Sequence, residues 1–143
     1  MPSFVKTSGS TGLHVLLPLG GQCTYEQSKG LAELLARLIV SRLPKIATIT
    51  RTPSRRGGKV YVDFLQNRHG QLLVAPFCVR PLPGAPVSTP LRWKEVNRGL
   101  HIERFTIENV PKRMKRMKSD PLAEILELQP DLLSCLEKLY QML

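Results

Sequence analysis

The sequence predicts a mixed α/β chain of the α+β kind, in which a mostly antiparallel sheet packs with helices. Three observations lead there. Apolar runs of strand length fall at 13–19, 46–50, 59–65 and 72–77, with glycine, proline or polar residues at their ends. A single long segment, 24–43, carries helical periodicity with both ends marked. Twelve prolines and ten glycines in 143 residues punctuate the rest with turns, and no internal repeat is present.

In chain order, SFVKTSGSTG (3–12) reads as a polar, Gly/Ser-rich loop, and LHVLLPL (13–19) as a buried strand that ends at GGQC. The helix over 24–43 follows. Thr24 can cap it, and Gln27 three residues on completes a capping box. Leu31, Leu34, Leu35, Leu38 and Ile39 form its apolar stripe, Glu33 can pair with Arg37 at i,i+4, and Pro44 stops it. IATIT (46–50) predicts a strand and RTPSRRGGK (51–59) a basic loop.

In 59–65, Val60, Val62 and Phe64 share one face of a strand, and Lys59, Tyr61, Asp63 and Leu65 the other. A turn at QNRHGQ leads to LLVAPF (72–77), and the spacing predicts an antiparallel hairpin. VRPLPGAPVSTP (79–90) is a Pro-rich loop barred from a central strand. Thr89 and Pro90 suit the cap and first position of a short helix. ERFTIENV (103–110) holds one more expected strand, and PKRMKRMKSD (111–120) is a charge run. The tail reads as two short helices broken at Pro130, with Leu132, Leu133, Leu136, Leu139 and Leu143 on one side.

Lys and Arg number 21 against 11 Asp and Glu, a formal net charge of +10. Such an excess favours a polyanionic partner, because each phosphate neutralised releases a counterion. Nucleic acid comes first. A membrane surface is disfavoured, since no basic amphipathic segment has a strong apolar face, and no run reaches spanning length. Cys23, Cys78 and Cys135 are odd in number and lack zinc-ligand spacing, so neither a disulfide framework nor a zinc site is indicated, and a reducing cytosol fits. The N-terminus has no apolar signal core.

Four stretches can carry chemistry. In SGSTGLH (8–14), Gly9 and Gly12 allow backbone amides to curl around an anion, with Ser8, Ser10 and Thr11 adding hydroxyls. An ordinary turn is the competing reading, as is a satisfied core histidine for His14. The Walker A spacing is absent. The basic loop Arg51, Arg55, Arg56, Lys59 offers guanidinium forks that match phosphate, or a solvated surface. The run Lys112 to Lys118 is less specific still. Asp63 can ligate a metal or simply cap a strand end.

Taken together and in this order, SFVKTSGSTGLHVLLPL, YVDFLQN, VAPFCVRPLPGAPVSTPLRW and SDPLA resemble the polymerase domain of bacterial DNA ligase D, in the archaeo-eukaryotic primase superfamily. The resemblance runs over about residues 3–125, so 1–125 is expected to be the C-terminal half of such a domain and 126–143 a helical tail. It implies addition of nucleotides, ribonucleotides preferentially, to DNA ends held for non-homologous end joining, using two divalent ions, Mn2+ or Mg2+. Asp63 matches a metal-binding, catalytic carboxylate in the V-D-[YF]-L pattern. Ser8, Gly9 and His14 match the S-G-x-x-G-x-H motif that meets the incoming nucleotide's phosphates. Arg56 lies in the loop that helps hold the triphosphate, Arg80 matches the Arg of A-P-[YF]-x-x-R on the nucleotide side, and Gln66 falls near the ribose. The implied partners are DNA ends, nucleoside triphosphates and an end-bridging Ku protein, in a bacterial cytoplasm and near the nucleoid.

Two departures stand against the pattern. Thr11 replaces a common Lys. More seriously, the family's other two metal carboxylates form an Asp-x-Asp pair upstream of KTSG, and no two acidic residues of this sequence are separated by a single residue. The expectation is therefore a partial primase-like fold without its N-terminal half, with an exposed sheet edge, inactive alone and completed by an N-terminal half on a separate chain. The competing readings are a non-catalytic DNA- or nucleotide-binding module and the remnant of a broken gene.

Overall fold

Strand β1 (Phe4–Thr7) forms where the composition reads as loop, because its side chains find buried partners on both sides. Residues 1–142 are described by the structure, a computed structural model. The chain divides into two compact units: Met1–Gly20 with Val74–Leu132, and Gly21–Leu73 with the residues from Leu133 onward.

In the first unit β1 is the centre of a three-stranded antiparallel sheet of order β2-β1-β5, with β2 at Leu13–Leu16 and β5 at Pro90–Leu91. The register sets Val5 opposite Val15 and Leu91, and Lys6 opposite His14 and Pro90. Val5, Val87, Leu91, Val110 and Leu122 form the apolar core. Polar side chains share it: Lys6, Thr7, Ser88 and Thr89 are almost fully buried. Buried polar groups must be bonded, and these are. The Thr7 hydroxyl donates to Val87 O and accepts from Thr89 N, while the Ser88 hydroxyl donates to Thr7 O. This weave ties KTSG to PVSTPL across the unit.

Several expectations are corrected here. LHVLLPL is a shorter strand, and it is an edge strand: Leu13 and Val15, on one face, are exposed, while His14 and Leu16, on the other, are half-buried. Thr89 does not cap a helix. Its hydroxyl donates to Val87 O, and Pro90 lies in β5, an edge position where its missing N–H costs no ladder bond. The short helix nearby is instead a 3-10 turn at Trp93–Glu95, where Glu95 accepts from Arg92 N. ERFTIENV is not a strand. Ile102–Arg104 is a 3-10 turn, Thr106 makes an isolated bridge to Pro86, and helix α2 starts at Val110. The charge run folds as that helix, Val110–Met117, because buried Val110 anchors it and Arg113 folds back onto Glu95 at 2.8 Å.

In the second unit, helix α1 (Tyr25–Arg42) has the expected capping box: Gln27 N donates to Thr24 Oγ1 and Thr24 N to Gln27 Oε1. Glu33 and Arg37 pair at 2.7 Å. Of the stripe, Leu38 is buried, Leu31, Leu34 and Leu35 are half-buried and Ile39 is exposed, while Ala36 is the most buried residue of the helix. Strands β3 (Ala47–Thr48) and β4 (Val60–Tyr61) pair in parallel.

The expected hairpin of 59–65 with 72–77 does not form. The chain leaves strand geometry after Tyr61 because Asp63 captures Leu65 N and starts a 3-10 turn at Leu65–Asn67, losing the register. Leu72 is left 95% exposed and Val60 68%. The tail keeps its break at Pro130, between a 3-10 turn at Ala123–Leu126 and helix α3 (Leu132–Tyr140). Leu139 is buried, Leu133 is exposed, and Leu143 lies outside the described residues.

Candidate functional site

Four of the singled-out residues, Ser8, Gly9, His14 and Arg80, belong to the first unit. The loop 8–12, between β1 and β2, is closed by Ser8 N donating to Gly12 O at 2.8 Å. Ser8 Oγ accepts from Ser10 N and Gly12 N, both at 3.1 Å. The expected amide nest is therefore half filled by the protein's own oxygen. What the loop presents is the Ser8 hydroxyl proton, aimed by two amides. Gly9 has φ +69°, and a Cβ there would lie 2.7 Å from Arg80 Cγ and 3.0 Å from Ser88 N, so Arg80 crosses directly over a position only glycine tolerates. Arg80 is fixed by its N–H on Pro86 O at 2.8 Å, at the base of a Pro-rich turn. Among the described residues its guanidinium has no acidic partner.

Beneath lies a residue whose role sequence reasoning missed. Lys6 is 1% exposed, and its Nζ donates to Val74 O at 2.8 Å and Ser88 Oγ at 2.7 Å, with His14 Nδ1 at 2.9 Å. No carboxylate faces it among the described residues. Burial lowers its pKa to about 8, against a smaller raising effect of Cys78 and helped by Arg80. A lysine flanked by a threonine and an apolar strand gives one usable signal in sequence, its place on the buried face opposite His14. That signal appears only once residues 4–7 are taken as a strand.

The other singled-out residues belong to the second unit. Asp63 is exposed, and its Oδ1 accepts from Leu65 N at 2.9 Å and from the Tyr61 hydroxyl at 3.4 Å. Its second oxygen accepts no hydrogen bond among the described residues. One Asp63 oxygen thus caps the 3-10 turn, the structural role the sequence offered as one of its two readings. The Tyr61 hydroxyl is held protonated above its ordinary range, first by burial and then by the Asp63 charge. Arg56 stacks on the Tyr61 ring at 4.1 Å and gives one donor each to Thr50 O and Arg51 O, which fixes the plane of the guanidinium. Gln66 is exposed on the 3-10 turn after Asp63.

A divalent-metal centre does not fit the residues present. Among the described residues no group of three His, Cys, Asp or Glu side chains could hold a metal ion. Asp63 offers one carboxylate, and two-metal chemistry needs several on ions about 4 Å apart.

In the first unit cationic side chains, hydroxyls and a backbone loop lie together on a mixed α/β scaffold, a combination chemically suited to phosphate oxygens. The comparisons make the class specific. The family model described as LigD, primase-polymerase domain, matches residues 1–122, and the chain belongs to that family. The multifunctional non-homologous end joining protein LigD of Pseudomonas aeruginosa is 30% identical over 82% of this chain and 14% of its own length. The bifunctional non-homologous end joining protein LigD of Bacillus subtilis is 32% identical over 80% of this chain and 19% of its own. The polymerase domain of Mycobacterium tuberculosis ligase D, solved in complex with DNA, superposes with a TM-score of 0.81 at 31% identity, over 90% of this chain and 44% of that one. The chain thus spans under a fifth of these two curated relatives and under half of the solved domain. Among the described residues no helix is long and apolar enough to cross a membrane.

Proposed function

We propose that this chain is the nucleotide-holding part of a DNA end-joining nucleotidyltransferase. In this reading the Ser8 hydroxyl, His14 and Arg80 receive the phosphates of an incoming nucleoside triphosphate, with Gly9 keeping Arg80 close. The observation that carries it is the gathering of the Ser8 hydroxyl, Lys6 and Arg80 at the 8–14 loop, with no carboxylate ion-paired to Lys6 or Arg80 among the described residues. Such a set is complementary to phosphate oxygens. In the second unit, Asp63 would be one of the several carboxylates that a divalent ion, manganese or magnesium, needs, and Arg56 and Gln66 carry guanidinium and amide donors of the kind that suit phosphate and ribose oxygens. The remaining carboxylates must be supplied by a polypeptide with the Asp-x-Asp pair, since this sequence has none. The macromolecular partners are DNA ends and an end-bridging Ku protein, in the bacterial cytoplasm.

Titration of a nucleoside triphosphate into the 143-residue chain tests this. His14→Ala and Arg80→Ala should each weaken binding about tenfold or more, since a charge-assisted bond contributes about 1.5–3 kcal/mol. Unchanged affinity in both variants, or no binding by the parent chain at millimolar ligand, overturns the reading. With manganese and a gapped primer the chain alone should add no nucleotide until a polypeptide bearing the paired aspartates is supplied.

A second reading, a DNA-binding module without catalysis, is favoured by one observation. Lys112, Lys115, Arg116 and Lys118 line α2 and its C-terminal end with positive charge, while Arg113 alone is drawn in by Glu95.

A further inference from the structure

We propose that the ammonium of Lys6 fixes the tautomer of His14: it donates to Nδ1 and thereby keeps the imidazole proton on Nε2, as a donor for a phosphate oxygen. This deepens, and rests on, the reading of His14 as a triphosphate contact.

The argument is a proton count. Lys6 Nζ has three neighbours, Val74 O at 2.8 Å, Ser88 Oγ at 2.7 Å and His14 Nδ1 at 2.9 Å. The Ser88 proton is committed to Thr7 O at 2.9 Å, so Ser88 Oγ accepts from the lysine. Val74 O can only accept. A charged ammonium has three protons and no lone pair. Its third proton therefore goes to His14 Nδ1, which must be bare, and a neutral imidazole with Nδ1 as acceptor carries its proton on Nε2. All three lysine protons are then used. Lys6 has none to offer a ligand and acts only through His14, which makes it a positioning residue.

The same count predicts what happens when Lys6 loses a proton. The two that remain satisfy Val74 O and Ser88 Oγ. The lone pair now faces Nδ1, which must carry the proton, and Nε2 becomes an acceptor that repels phosphate. One ionisation thus reverses the polarity of the ring. The titratable groups facing Lys6 are His14 from β2 and Cys78 and Arg80 from the segment that follows Val74. Pro90 and Leu91 of β5 and the stretch 86–89 add none. Burial brings the transition to about pH 8 from its ordinary place above 10. A phosphate on Nε2 favours the charged lysine, so binding above pH 8 takes up a proton.

Long-range proton–nitrogen correlation spectra of the three histidines, with His14 assigned by its loss in His14→Gln, test this on the full chain. His14 is expected as the Nε2–H tautomer at pH 7, converting to Nδ1–H as the pH passes 8. Lys6→Met should abolish that conversion and leave mixed tautomers. A His14 that is Nδ1–H or doubly protonated at pH 7, or whose tautomer ignores pH, overturns the proposal. The parent chain alone decides this, so an unfolded Lys6→Met leaves the test intact. Added ATP should shift the Nε2 signal at pH 7. The expected tautomer without that shift would overturn the triphosphate reading and leave the lysine–histidine assignment standing.

Discussion

Lys6 is costly to bury and is buried nonetheless, with hydrogen bonds in place of a counter-ion. Its folded pKa, about 8, lies below the ordinary lysine value of 10.5, so between the two the unfolded chain binds more protons than the folded one. Stability should therefore rise with pH from about 8 to about 9.5, before tyrosine ionisation intervenes. Urea melts across that window check the sign, and Lys6→Met should flatten the slope. Gly9 makes a different residue-scale claim. Its φ of +69° and the 2.7 Å approach of Arg80 Cγ both exclude a side chain. Gly9→Ala should cost roughly 1–3 kcal/mol, read as a lower denaturation midpoint, and should displace Arg80 enough to weaken triphosphate binding. Neither property is visible in composition, where KTSGSTG resembles any polar turn.

At the scale of elements, features set by neighbouring residues are legible in the sequence. The capping box of α1 needs only Thr24 and Gln27 at the right spacing, and both bonds are present. Thr24→Ala should lower stability by about 1 kcal/mol, seen as a reduced thermal midpoint with loss of helical signal at the N-terminal turn. The break at Pro130 and the Glu33–Arg37 pair follow the same local logic. Sequence and structure part where distant partners decide. β1 is a strand because PVSTPL lies beside it, and 72–77 is not one because Asp63 ends its intended partner early. The charge run becomes α2 because Glu95 and Val110 hold its inner side. For the candidate site, Ser8, Gly9, His14 and Arg80 are legible as a motif. The lysine that orients His14 is not, because its importance lies in burial.

At the scale of the whole molecule, the net charge of +10 sets the expected behaviour toward nucleic acid. DNA affinity should fall steeply with salt. Replacing Lys112, Lys115 and Arg116 by alanine should make the logarithmic slope shallower by about 0.9 for each phosphate that those side chains neutralise, while Asp63→Ala should leave it unchanged. Fluorescence anisotropy over a salt series measures both. The weave between β1 and the stretch before β5 also has a temporal meaning. Lys6 and Ser88 are 82 positions apart, with most of the second unit's sequence between them. A ribosome releases β1 long before the residues that will enclose it, whereas α1, β3 and β4 are near neighbours along the chain. Closing so long a loop is slow compared with local pairing. The intervening segment is thus expected to acquire structure first, and loop 8–12 to remain open to solvent, with Lys6 of β1 fully hydrated, until PVSTPL has been synthesised.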